Sequence, residues 1–150
     1  MNDNLLSYRK AEKEDFSFIY RYSKECFNTF DYFKTYQIRR FIGNPNGTII
    51  TDVIEWNLIP VGWAVYFIKK NWIRLYAFCM IPECQGRGFG KIYLRKRLET
   101  LSEYREIRLE VRTNNFNAIR LYSDLGFQIK KTIKGYYYDF ADAYRMVKVN

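Results

Sequence analysis

Histidine is missing from the whole 150-residue chain. That excludes every His-based triad, every His-ligated metal site and an imidazole general base. Cysteine is scarce: Cys26, Cys79 and Cys84 form an odd count with no C-x-x-C spacing. Neither a zinc cluster nor a disulfide framework is expected, no metal is called for, and a reducing cytoplasm is the natural setting. The longest apolar run, residues 58–68, is too short to span a bilayer, and the N-terminus has no signal-peptide layout. A membrane role is therefore not expected. Repeats, low-complexity tracts and a linker are also lacking, so residues 1–150 read as one domain.

What is present suits a packed interior. Hydrophobic residues make up 48% and aromatics 19%, which argues for a real core and against disorder. The formal charge of +9 points to an anionic partner, whether a nucleotide-like cofactor, nucleic acid or an acidic surface. A basic solvated surface would give the same number.

In chain order, residues 4–10 read as a first strand, and Glu12, Glu14 and Asp15 sit at a helix start, where negative charge is favoured. Phe16, Ile19, Tyr20, Ser23 and Phe27 mark one helical face, and residues 32–41 predict a second helix. Residues 43–47, Gly-Asn-Pro-Asn-Gly, break the chain. Residues 48–54 and 61–68 are strands joined by a hairpin connection over 55–60, and 73–81 is a buried strand closed by Pro82. A helix carrying Leu94, Leu98 and Leu101 follows, then a strand at 107–112 and a helix capped by Asn114 or Asn115 and ended by Gly126. Strands at 128–138 and 142–149 complete a mixed α+β pattern.

Between the buried strand and the Leu94 helix lies Gln85-Gly86-Arg87-Gly88-Phe89-Gly90-Lys91. Glycines at alternate positions free the backbone to turn and leave N–H groups uncovered, and the helix dipole points at the same place. The loop is thus a candidate phosphate cradle. It is not a dinucleotide fingerprint, because Lys91 stands where the third glycine would be. Nor is it a P-loop, which needs glycine where Gln85 stands and Ser or Thr where Ile92 stands.

Gln85 to Gly90 does match Q-x-x-G-x-G, the acyl-CoA pyrophosphate loop of the GNAT acetyltransferases, and Pro82 sits where that family has a proline. A second block, Leu109, Val111, Asn115, Ala118-Ile119, Leu121-Tyr122 and Gly126-Phe127, resembles the family's later motif. A third, Tyr136-Tyr137, Asp139, Asp142-Ala143-Tyr144 and Met146, resembles the C-terminal signature of the branch holding RimI-type and NatA-type N-terminal acetyltransferases. That branch has glycine where this chain has Phe140.

The resemblance implies a GNAT fold, with a mixed and mostly antiparallel sheet of about seven strands and about four helices. It implies direct acetyl transfer from acetyl-CoA to an amine, most of all the N-terminal α-amino group of a protein, ribosomal proteins included. The main chain of Gln85, Gly86, Arg87, Gly88, Phe89 and Gly90 would hold the pyrophosphate, with Arg87 and Lys91 adding charge. The main chain at Met80 would stabilise the oxyanion, and Asn115 would contact the cofactor.

Glu110 stands where relatives place a base, and alternation with Leu109 and Val111 sends its side chain to the opposite face. The competing reading is a surface carboxylate paired with Arg108 or Arg112. Tyr122 would protonate the departing thiolate, and Tyr136 and Tyr137 would hold the acceptor. As consecutive strand residues, those two tyrosines would face opposite sides unless the strand bulges or turns. Acceptor preference would lie in residues 27–41, where the resemblance is least.

Two other readings stay open: a GNAT acting on a polyamine or amino sugar, and a non-catalytic acyl-CoA-binding module. Nucleic-acid binding is not expected, and a monomer or homodimer fits either enzyme reading.

Overall fold

The structure, a computed structural model, describes residues 5–27 and 31–150. The call of a strand start at Asn4 lies outside the described residues, as do residues 28–30 of the segment expected to set acceptor preference. The strands are β1 (Leu6–Lys10), β2 (Ile49–Trp56), β3 (Ile59–Ile68), β4 (Trp72–Met80), β5 (Glu106–Arg112), β6 (Gln128–Ile133) and β7 (Ala143–Val149). The helices are α1 (Phe16–Cys26), α2 (Thr35–Gly43), α3 (Phe89–Glu99) and α4 (Phe116–Asp124). One seven-stranded sheet runs in the order β1-β2-β3-β4-β5-β7-β6. All pairs are antiparallel except β4 with β5. The α+β GNAT architecture expected from the motifs is the one observed.

Strand alternation divides the core in two. On one face, Tyr66, Ile73, Ile107, Leu109 and Met146 pack under Phe89, Leu94 and Leu98 of α3 and Tyr122 of α4. On the other, Val53, Trp63, Val65 and Ala77 pack under Ile19 of α1 and Ile38 and Phe41 of α2. The recurrence Leu94, Leu98, Leu101 is fully used, all three being buried.

Two polar devices tie the first strand down. Arg9 donates to Asp15 at 2.8 and 2.9 Å and to Glu55 at 2.8 Å. Asp15 also accepts the Glu12 N–H at 2.7 Å, and the Arg9 guanidinium holds its carboxyl below the ordinary value. Under α3, Tyr93 donates to the buried Asp52 at 2.7 Å, and the Tyr66 and Tyr93 hydroxyls lie 3.0 Å apart. Arg97 adds a 3.2 Å bond from Nη2, its Nε lying 2.9 Å from Asp52 without hydrogen-bond alignment. A buried charge survives in a core only with such partners.

Among the boundaries that differ from the sequence reading, three matter here. The β2–β3 connection is a two-residue turn at Asn57 and Leu58, both at positive φ (51° and 65°), rather than a six-residue link. The primed geometry follows the strand twist and lets pairing run to Trp56 and Ile59. Helix α2 begins at Thr35 instead of residue 32. Strand β6 stops at Ile133, so Tyr136 and Tyr137 belong to a loop and not to a strand.

The sheet has one opening that matters for chemistry. Strands β4 and β5 are nine and seven residues long, yet they pair only from Trp72 to Arg74 and from Glu106 to Arg108. Beyond Arg74 the ladder ends, leaving the last part of β4 and the second half of β5 as the two sides of a wedge. The register between β3 and β4 also shifts between Val65 and Tyr66, so that Tyr76 has no partner on β3.

Candidate active site

The end of β4 leads through a short 3-10 turn, Pro82–Cys84, into exposed residues 85–88 and then α3. Gly88 is the residue before α3 and has φ +81°, a left-handed conformation disfavoured for residues with a Cβ. A Cβ on Gly90 would stand 2.9 Å from Phe78 Cζ, so glycine is what allows α3 to close on β4. The first turn of α3 leaves N–H groups without an intrahelical acceptor, facing the end of β4. The Gln85 amide turns back and donates to the Met80 carbonyl at 3.0 Å, fixing the loop against the strand end. Arg87 lies over the Phe89 ring at 4.8 Å. Lys91 pairs at 3.1 Å with Asp124, so its charge is shared with α4.

Asn115 accepts the Ala118 N–H at 3.2 Å and caps α4. One turn further on, Tyr122 is buried edge-on against Phe127, with ring centroids 5.8 Å apart. Its hydroxyl has no hydrogen bond to any described residue, and burial pushes its phenol up.

Across the wedge the sheet face on the α1–α2 side carries a chain of charged groups. Glu110, its side chain only 7% exposed, accepts from Arg74 Nε at 2.9 Å on one oxygen and from Arg145 Nε at 3.1 Å on the other. It is neither a surface carboxylate nor a partner of Arg108 or Arg112. Arg108 pairs with Glu106, two residues back on the same strand face, while Glu110 lies opposite Arg145 of β7 and beyond the last β4 pair, Arg74 with Arg108. Arg74 continues to the Tyr136 hydroxyl at 2.5 Å. Tyr136 and Tyr137 meet edge to face at 5.0 Å, and the Arg112 guanidinium sits 4.1 Å over the Tyr137 ring. Arg112 in turn binds Asp31 at 3.1 and 2.5 Å and Asp139 at 3.1 and 3.0 Å.

Because the chain has already turned out of β6, both tyrosines reach this cluster, the exception that the sequence reading left open for consecutive strand residues. Sequence reasoning gave Arg74, Arg145 and Asp31 no role. Arg74 had a signal: a lone charge inside an apolar strand must find a partner. Arg145 and Asp31 had none, since their partners are distant in the chain.

A second correction concerns sulfur. Cys26 at the end of α1 and Cys79 near the end of β4 are joined as a disulfide, with Cα atoms 6.1 Å apart. Sequence spacing does not reveal such a pair, because 53 residues separate them. Cys84 is free and buried. Among the described residues no cluster of three metal-ligating side chains occurs. A depression of about 460 Å³ at the other end of β1 and β2 is lined by Lys10, Asp52 and Arg97 and by no residue of the glycine loop or the Glu110 cluster.

Comparison with known proteins places these features. A model described as the acetyltransferase (GNAT) family matches residues 8–127. An N-alpha-acetyltransferase of Sulfurisphaera tokodaii is 28% identical over 122 residues, covering 77% of this chain and 72% of that protein. The structure of the ribosomal-protein-S18-alanine N-acetyltransferase from Escherichia coli superposes with a TM-score of 0.83 at 22% identity, over 96% of this chain and 93% of that one. The structure of spermidine N-acetyltransferase from Vibrio cholerae in complex with CoA and spermine gives 0.84 at 18%, over 97% and 96%. No helix of the described residues is long and apolar enough to cross a membrane.

Proposed function

Because this chain belongs to the acetyltransferase (GNAT) family and is an acetyl-CoA-dependent N-acetyltransferase, we propose that its acceptor is the N-terminal α-amino group of a protein. Residues 1–150 would act as one catalytic domain in the cytoplasm, as a monomer or homodimer, with ribosomal proteins among its acceptors. The observation that carries this reading is the state of the acids beside the wedge. Glu110, Asp31 and Asp139 each accept from an arginine, so no acidic trough is left to attract a polycation. The three arginines and three carboxylates cancel, so the cluster offers a polyamine no net negative charge, whereas a peptide brings one amine and a neutral main chain that hydrogen bonds can hold. The N-alpha-acetyltransferase relative supports the same acceptor.

In this reading the loop 85–90 and the first turn of α3 bind the CoA pyrophosphate through main-chain N–H groups, with Arg87 and Lys91 supplying charge and Asn115 a further contact. The pantetheine and acetyl group enter the wedge between β4 and β5. An α-amino group has an unperturbed pKa of about 7.7 to 8.0, so near neutrality it needs only a modest base.

Glu110 takes that proton through a water: Arg74 and Arg145 engage one lone pair on each oxygen and leave others free. The neutral nitrogen attacks the acetyl carbonyl carbon while the main chain at Met80 stabilises the oxyanion. The C–S bond then breaks, Tyr122 gives its proton to the CoA sulfur, and the second proton that the nitrogen sheds on becoming an amide returns through water to the Tyr122 phenolate. Burial raises the phenol's pKa, so the proton stays on Tyr122 until a thiolate forms beside it.

The test offers peptides with free and with acetyl-blocked N-termini, both containing lysine, beside spermidine. Turnover of the free N-terminus alone is expected; turnover of spermidine alone would sink the proposal. Glu110→Gln and Tyr122→Phe are each expected to lower kcat by about 10² to 10⁴ with acetyl-CoA affinity unchanged. Unaltered turnover in both would instead fit an acyl-CoA-binding module.

A further inference from the structure

We propose, on the reading above that Glu110 is the base, that Arg74 is a positioning residue for the reaction. It holds the Glu110 carboxylate beside the wedge between β4 and β5 instead of letting it turn away toward β7.

The two arginines that bind Glu110 are not equivalent. Arg145 faces Glu110 directly in the β5–β7 ladder and donates to one oxygen at 3.1 Å. Arg74 lies on β4, on the other side of β5, and donates to the second oxygen at 2.9 Å. The carboxylate is thus pulled from both flanks and centred over β5 by two charge-assisted bonds. Without Arg74 the remaining pull is toward β7, away from the opening.

The surroundings direct Arg74 into the opening. It ends the β4–β5 ladder beside Arg108, and like charges at neighbouring positions repel. Arg108 turns back to Glu106 and lies 4.1 Å over the Trp72 ring, in the paired part of the sheet. Arg74 takes the other direction, where main-chain pairing has stopped. Its guanidinium sits 5.1 Å over the Tyr76 ring and also donates to the Tyr136 hydroxyl, which fixes the fork on two further sides. Past the end of the ladder, its bond to Glu110 ties β4 to β5 beside the base.

The experiment compares Arg74→Met with Arg145→Met. Both remove the same charge, and each leaves Glu110 one arginine, so neither strands a buried carboxylate. A role in charge balance alone predicts equal losses. Positioning predicts that kcat near neutral pH falls about tenfold to a hundredfold in Arg74→Met and about threefold or less in Arg145→Met, with acetyl-CoA affinity by calorimetry unchanged in both. The Arg74→Met deficit narrows as pH rises from about 6.5 to about 9, because above about 8 the solvent has already taken the amine's proton. In Arg74→Met/Glu110→Gln, turnover equals that of Glu110→Gln alone, since a misplaced base and a missing one are the same defect.

Matching melting temperatures show that the variants are folded, and Arg74→Gln with Arg145→Gln repeats the comparison if either methionine variant is not. Equal losses in the two arginine variants, a deficit constant across pH, or losses that multiply in the double variant overturn the inference and leave the base reading standing. Full turnover in Glu110→Gln rejects the base reading, and the inference with it.

Discussion

The two sides of the wedge are built by different means. The proposed donor side is a contiguous stretch, residues 80–91, in which main-chain N–H groups and glycine conformations make the surface. The proposed acceptor side is a lattice of side chains drawn from separate parts of the chain: Asp31, Arg74, Glu110, Arg112, Tyr136, Asp139 and Arg145. A main-chain site suits a ligand that never changes, because substitutions at most positions leave it intact. A side-chain site can be retuned one residue at a time, which suits an acceptor that differs between relatives named for protein N-termini and for spermidine. A covalent link lies beside them, the Cys26–Cys79 bond that ties α1 to β4 one residue before the contiguous stretch.

The largest effect is expected from breaking that link. Closing a loop of 53 residues constrains the unfolded chain by about 4 kcal/mol in the entropic account. Reduction should lower the unfolding free energy by that order, measured by urea unfolding with and without dithiothreitol. An unmoved midpoint would show the thiols already reduced in the protein as prepared.

Next comes Gly88→Val, which forces a β-branched residue into φ +81° at the start of α3. The strain costs about 1 to 2 kcal/mol or more, so acetyl-CoA affinity by calorimetry should fall about tenfold while acceptor KM stays put. Equal loss on both sides would mean that the two regions are not separable.

The smallest effect is on the acceptor side. Arg112→Ala leaves Asp31 and Asp139 without their guanidinium and should raise acceptor KM several-fold without altering acetyl-CoA affinity. Arg112 also sets a pH signature. Its hydrogen bonds hold the Asp139 carboxyl below the ordinary value of 3.8. The unfolded chain therefore binds that proton more readily than the folded one, and the tie contributes stability above 3.8 that is lost as pH falls through the depressed folded pKa. Asp15, depressed by Arg9, behaves the same way. Melting temperature should fall below pH 4 in the wild type, and less steeply in Arg112→Ala. Parallel curves would assign the acid step to Asp15 and to Asp142, whose carboxyl the Gly135 N–H and Lys134 also hold down, instead.

Much of the fold was legible because its signals are local. The helix-start acids, the Leu94–Leu98–Leu101 stripe, the Asn115 cap and the glycine break after α2 all act within one or two turns of the chain. The misreadings share a cause. Residues 134–138 continue a strand-like composition, but the loop that ends β6 is set by Asp139 and Asp142, whose carboxylates bind Arg112, Lys134 and the Gly135 N–H. The six-residue link between β2 and β3 shrank to two because pairing across the sheet outweighed the poor turn propensity of Leu58.

By itself the sequence determined where a phosphate cradle can form: glycine conformation, a strand end and a helix start are properties of neighbouring residues, and residues 82–91 carry all three. Only the tertiary structure decided which charged side chains gather beside the wedge. Arg74 meets Glu110 across 36 positions, Tyr136 across 62, and Arg112 meets Asp31 across 81. Such pairs are chosen by strand order and by the cost of burying a charge alone, and neither is written in any one stretch of the chain.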